Sequence, residues 1–135
     1  TEREEHIEGI PIAATRARRR RIIEDGFESS DFGQSIEGLQ KMLNDMEQAL
    51  QKNEWLVGDD YTLADIAMTP LVERLHELQC GGMLETCPAV ADWYERIQAR
   101  PSYETCLGPT PNPEAAQHKE AGLKAWPEIK ELLSA

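Results

Sequence analysis

Residues 61–78 read YTLADIAMTPLVERLHEL, and this stretch decides the fold. Thr62, followed three residues later by Asp65 and then by an apolar run, is a helix-start signature. The Thr62 hydroxyl is placed to accept from the Asp65 N–H, and the Asp65 carboxylate to reach back to the Thr62 N–H. Tyr61 before this cap and Ile66 after it have the spacing of a hydrophobic staple. Beyond them Ala64, Ala67, Met68, Leu71, Leu75 and Leu78 form a broad apolar face. With Leu63 and Ile66 these residues cover most of the circumference, which predicts a central, buried helix. Pro70 removes one hydrogen bond inside it and predicts a kink. Thr62 beside Asp65 also has the composition of a hydroxyl next to a carboxylate base. The cap accounts for both residues without chemistry, so they are assigned as a structural helix cap.

Working outward, Ile36, Leu39, Leu43, Met46 and Leu50 recur at 3,4,3,4 spacing and predict a helix with one buried stripe. Asp45, Glu47, Gln48 and Lys52 fall outside that stripe. Asn53 to Asp60 reads as a turn, with Gly58 and two aspartates ending the periodic run. Upstream, Pro11 suits the first position of a helix that runs to Asp25 and stops at Gly26. Downstream, Gly81-Gly82 ends the Thr62 helix and Pro88 starts another, with Val90, Trp93, Tyr94 and Ile97 facing inward and Arg96 and Arg100 outward. Pro101 interrupts it, leaving a short helix over Ser102 to Leu107. Gly108, Pro109, Pro111 and Pro113 read as a stiff linker. A last helix from about Glu114 carries Leu123, Trp126, Ile129 and Leu133, with Pro127 bending it. No stretch alternates long enough for a strand. The expected fold is all-α, a bundle of about five helices.

The 135 residues suit one domain with a real core. No apolar run approaches the length of a membrane span, and the charged first residues, Thr1 to Glu8, do not resemble a secretory signal. Lys and Arg total 14 against 25 Asp and Glu, a net charge of -11, which makes nucleic acid and anionic lipid poor partners. The charge is uneven. Five arginines crowd into Arg16, Arg18, Arg19, Arg20 and Arg21, and the reading favoured for them is pairing with Glu24, Asp25 and the acidic body. Cys80, Cys87 and Cys106 are odd in number, which fits a reducing cytoplasm better than a disulfide framework. His76, Cys80 and Cys87 sketch three metal ligands, but the fourth that a structural zinc needs is missing. No metal is expected.

The stretch from Leu39 to Leu107 resembles the C-terminal helical domain of cytosolic glutathione transferases. The matching elements are Trp55-Leu56-Val57-Gly58-Asp59, Tyr61-Thr62-Leu63-Ala64-Asp65-Ile66-Ala67, and Pro88 with Trp93 and the Ala99-Arg100-Pro101-Ser102 end. A weaker resemblance, over Ile10-Pro11-Ile12, Arg18 to Arg21 and Gly26-Phe27, is to bacterial glutathione transferases of the β-etherase type.

The family resemblance implies residues 1–107 as the helical domain, possibly lacking its first helix, and 108–135 as a Pro-rich linker and helical extension. It implies glutathione as co-substrate, bound by an N-terminal thioredoxin-like domain that this chain does not supply, so no catalytic residue is expected here. What the helical half contributes in that family is one wall of the pocket for a hydrophobic electrophile and much of a homodimer contact. Tyr103 and Trp126 are the substrate-binding candidates for that wall. Aromatics at helical spacing more often pack the core, and that alternative carries the greater weight. The parent protein is expected to be a cytoplasmic detoxifying transferase, with the chain inactive alone. The rival reading is a non-catalytic, transferase-like module for protein assembly.

Overall fold

A computed structural model describes residues 2–107 and 112–134. Within these residues seven α-helices follow one another: α1 (Glu2–Glu8), α2 (Ala13–Asp25), α3 (Ser30–Leu50), α4 (Leu63–Glu77), α5 (Pro88–Gln98), α6 (Pro101–Leu107) and α7 (Ala115–Ser134). Short 3-10 turns at Gly26–Glu28 and Gly81–Leu84 join them. Among the described residues there is no strand, only one isolated bridge between Trp55 and Gly58. The fold is all-α, as the periodicity requires. Among the described residues seven helices stand where about five were expected: α6 is the short further helix after Pro101, and charged α1 carries no buried stripe long enough to announce it.

The core lies between α3, α4 and α5. Ile36, Leu43, Met46 and Leu50 of α3 face Val72 and Leu75 of α4 and Val90, Trp93, Tyr94 and Ile97 of α5. α7 packs on α3 and α4 and adds Ile129. Its approach depends on Gly122, where a Cβ would lie 1.7 Å from the Leu78 carbonyl oxygen. The linker residues Gly108, Pro109 and Pro111 lie outside the described residues.

Several expectations need correction. α2 begins at Ala13 with Ile12 as its N-cap, so Pro11 stands before the helix rather than at its first position. α4 is not buried all round. Its inner face is Asp65, Thr69, Val72 and Leu75, while Leu63 (80%), Ile66 (50%) and Leu71 (42%) are exposed. Apolar residues around a whole circumference do not say which side meets the core. Leu123 of the last helix is also exposed.

Glu47 was placed outside the α3 stripe but is buried. Its Oε2 accepts from the Val90 N–H at 3.0 Å, and its Oε1 from Gln51 at 3.1 Å. The carboxylate thereby caps α5 from another helix, where Cys87 at the N-cap offers no side-chain bond. An anion at a helix N-terminus is favourable because the first N–H groups point at it.

Candidate functional site

Thr62 and Asp65 form a capping box at the start of α4. The Thr62 hydroxyl accepts from the Ala64 N–H at 3.2 Å, one residue earlier than the spacing suggested, and Asp65 Oδ2 accepts from the Thr62 N–H at 2.9 Å. Asp65 also does more than cap. Its Oδ1 accepts from the Leu56 N–H at 3.1 Å and from Trp93 Nε1 at 2.8 Å. One carboxylate, fully buried, joins the Trp55–Gly58 turn, the head of α4 and the middle of α5. Burying it is tolerable because each oxygen is multiply hydrogen-bonded.

That hub holds the walls of an open apolar groove of about 390 Å³ between α4, the end of α5 and α6. Ile66 and Pro70 of α4, Ile97 of α5 and Tyr103 and Leu107 of α6 line it, together with Tyr61 and Arg100. Arg96 and Arg100, expected to point outward, are half-buried instead. The Arg96 and Arg100 guanidiniums sit 5.5 and 5.6 Å from the Trp55 ring, and Arg100 lies 3.6 Å over Tyr61. Such stacking keeps a planar cation at an aromatic face instead of in water. The pattern that hid this is simple: a charged residue on a helix reads as solvent-facing until a ring is known to lie beside it.

Tyr103 lines the groove with its ring and donates its hydroxyl to Glu73, which also accepts from the Tyr94 hydroxyl. Burial, and then the bond to Glu73, push the Tyr94 phenol well above the usual tyrosine range. His76 stacks on the other side of Tyr94, with centroids 4.7 Å apart. Glu73 was not singled out by the sequence, since a lone glutamate on a helix is ordinary.

Trp126, the other candidate for the electrophile wall, is not in this groove. It lines a smaller cavity of about 190 Å³ between α3, α7 and the segment Gly82–Cys87. Its indole fits because residue 82 is glycine: a Cβ there would lie 2.2 Å from Cζ2. The structure thus separates Tyr103 from Trp126.

The potential metal ligands also diverge. His76 stacks, Cys80 Sγ donates to the Leu78 carbonyl at 3.4 Å, and Cys87 Sγ to Asn44 at 4.0 Å. Among the described residues no three ligating side chains converge. Four of the five arginines of α2 pair with carboxylates of the chain: Arg20 with Glu4, Glu8 and Glu24, Arg16 with Glu8, and Arg18 and Arg21 with Asp31.

The profile of the family "Glutathione S-transferase, C-terminal domain" matches residues 20–101, more than half of the chain. The chain belongs to the glutathione S-transferase family. Within the family it is similar to a tetrachloro-p-hydroquinone reductive dehalogenase of Sphingobium chlorophenolicum, 31% identical over 63% of this chain and 36% of that protein. Glutathione S-transferase F13 of Arabidopsis thaliana is 33% identical over 52% of the chain and 32% of its own length. The disulfide-bond oxidoreductase YfcG of Escherichia coli (strain K12) is 35% identical over 47% of the chain and 28% of its own length. The chain therefore spans about a third of these glutathione S-transferase relatives. No solved structure matches it.

Glutathione, the co-substrate of this family, carries two carboxylates and an ammonium group. The groove's polar groups are the Arg100 guanidinium, the Cys106 thiol and the hydroxyls of Tyr61, Thr69, Ser102 and Tyr103; that of Thr69 is bonded to the Asp65 carbonyl at 2.7 Å and that of Tyr103 to Glu73. One cation and no carboxylate along the groove do not fit a tripeptide with three charged groups.

Proposed function

We propose that this chain is the helical half of a glutathione transferase, contributing an apolar wall against which a hydrophobic electrophile is held. Thiol activation then falls to a glutathione-binding, thioredoxin-like half supplied by another polypeptide segment. The observation that carries this reading is the groove lined by Ile66, Pro70, Ile97, Tyr103 and Leu107, open to solvent and apolar. Positioning an electrophile beside a thiolate removes much of the entropic barrier to reaction. Activating the thiol is a separate task that needs a lowered pKa. On this reading Tyr103 is a wall residue and Trp126 a packing residue. The relative named a reductive dehalogenase supports a chlorinated arene as the kind of electrophile in question. We take residues 1–107 as the domain and 108–135 as an extension whose helix α7 folds back on α3 and α4. The parent is proposed to be a cytoplasmic homodimer with a detoxifying role.

The assembly reading draws on a different observation. Val57 in the Trp55–Gly58 turn is 68% exposed and Leu63 at the head of α4 80%, and exposed apolar residues of this kind suit a covering protein surface.

The test is conjugation of glutathione to an activated aryl halide, 1-chloro-2,4-dinitrobenzene. The chain alone should show no turnover and no retention on immobilised glutathione. The polypeptide that includes the reading frame upstream of Thr1 should show both. Retention of the chain alone would mean that the glutathione site lies within it. An upstream frame without a thioredoxin-like segment would favour the assembly module.

A further inference from the structure

Arg100 differs from most arginines of this chain. Arg16, Arg18, Arg20, Arg21 and Arg74 each pair with a carboxylate, and Arg96 donates to the Glu54 carbonyl at 2.7 Å. Among the described residues Arg100 makes no ion pair and no side-chain hydrogen bond, and its Nε, like that of Arg96, is buried without an acceptor. This occurs in a chain with 25 Asp and Glu and a net charge of -11. Glu73, the carboxylate behind the groove, is occupied by two phenols. Stacking on Tyr61 holds the guanidinium in place in the lining of the groove. A planar fork of donors, fixed and unanswered beside an apolar cleft, matches an anionic oxygen carried on a ring.

We propose that the groove binds aromatic anions, aryl carboxylates or phenolates, with the ring between Ile66, Pro70, Ile97 and Leu107 and the anionic oxygen on Arg100. The inference rests on reading the groove as the electrophile's wall and narrows the class of electrophile. A neutral arene gains only burial of its ring. The anion adds a charge-assisted hydrogen bond in a partly dehydrated site, which favours it by about tenfold or more.

Cys106 lines the groove and is exposed, whereas Cys80 and Cys87 are buried, so alkylation of Cys106 by neutral iodoacetamide reports occupancy in the intact chain. The alkylation rate is followed by mass spectrometry with 2-naphthoate or 2-naphthalenemethanol added. Naphthoate should protect at a concentration about tenfold lower than the alcohol. In R100M that advantage should vanish while protection by the alcohol persists, and R100K should keep part of it. Should either variant lose helicity by circular dichroism, the wild-type comparison alone decides. Equal protection by the two compounds overturns the role of Arg100 and leaves the groove standing, as does unchanged naphthoate protection in a folded R100M. Protection by neither overturns the inference and also counts against the groove as an electrophile wall.

Discussion

Trp93 Nε1 donates to Asp65 Oδ1 at 2.8 Å, and neither residue is accessible to solvent. The bond ties the middle of α5 to the head of α4. Replacing Asp65 takes the acceptor from the half-buried N–H groups of Leu56 and Thr62 and from the buried Trp93 indole. Asp65→Ala should cost about 3–5 kcal/mol, the scale for breaking a buried, hydrogen-bonded charge. Thr62→Ala removes the hydroxyl cap alone and should cost about 0.5–2 kcal/mol. Urea unfolding of the two variants checks the order. Equal losses would show that Asp65 serves only as a cap.

Gly122 and Gly82 should tolerate no side chain. Gly122→Ala puts a methyl group 1.7 Å from a backbone oxygen that cannot swing away, so α7 must shift off α4. Gly82→Ala meets the Trp126 ring at 2.2 Å, and that ring can tilt. Both should destabilise, by about 1–3 kcal/mol or more for overpacking, with Gly122→Ala the larger. Thermal unfolding gives the ranking, and limited proteolysis should show α7 cut first in Gly122→Ala. Unchanged melting of that variant would place α7 elsewhere.

Acid should loosen the α1–α2 pair before the core. α2 has no buried residue and meets its neighbours largely through ion pairs. The Arg20 guanidinium holds the Glu4 carboxyl below its usual range, and Arg21 does the same for Asp31. A carboxylate with a depressed folded pKa stabilises above its unfolded pKa, about 4, and loses that contribution as pH falls through the folded value. Hydrogen exchange should therefore quicken in α2 below about pH 4 while α3 and α5 stay protected. Simultaneous loss of protection in all three would contradict this.

At high pH the Tyr94 phenol should resist ionisation. Burial and Glu73 raise its pKa, so the protonated phenol stabilises below the ordinary tyrosine value, about 10, and this contribution is lost as pH rises. An ultraviolet titration of the three tyrosines should find at least Tyr94 silent until helicity collapses. Glu73→Gln removes the charge and should bring its ionisation to lower pH. Titration of all three phenols in the native protein would show that the Glu73 bonds do not hold.

Thiol chemistry supplies a further check. Burial pushes the Cys80 thiol up, and Cys87 is equally inaccessible, whereas Cys106 is exposed. A disulfide reagent should titrate one thiol quickly in the native chain and three in denaturant. Two fast thiols would mean that the segment Gly81–Cys87 opens.

The all-α fold, the α3 stripe, the Thr62–Asp65 start of α4 and the inward face of α5 were legible from local pattern. Each of these depends on residues three or four apart on one helix, and the family motifs are contiguous in the same way. What the pattern could not assign was direction and partnership. α4 is apolar around most of its circumference, so its periodicity does not say which side meets α3 and α5 and which becomes the groove. Arg100 and Glu73 read as solvent-facing charges until Tyr61 and two phenols arrive from other parts of the chain. Glu47 caps a helix that starts more than forty residues later. Sequence by itself determined which segments become helices, because that choice is made within a turn or two of backbone. Tertiary structure decided where the groove opens and which charges lie beside it, because those depend on contacts between residues that only packing brings together.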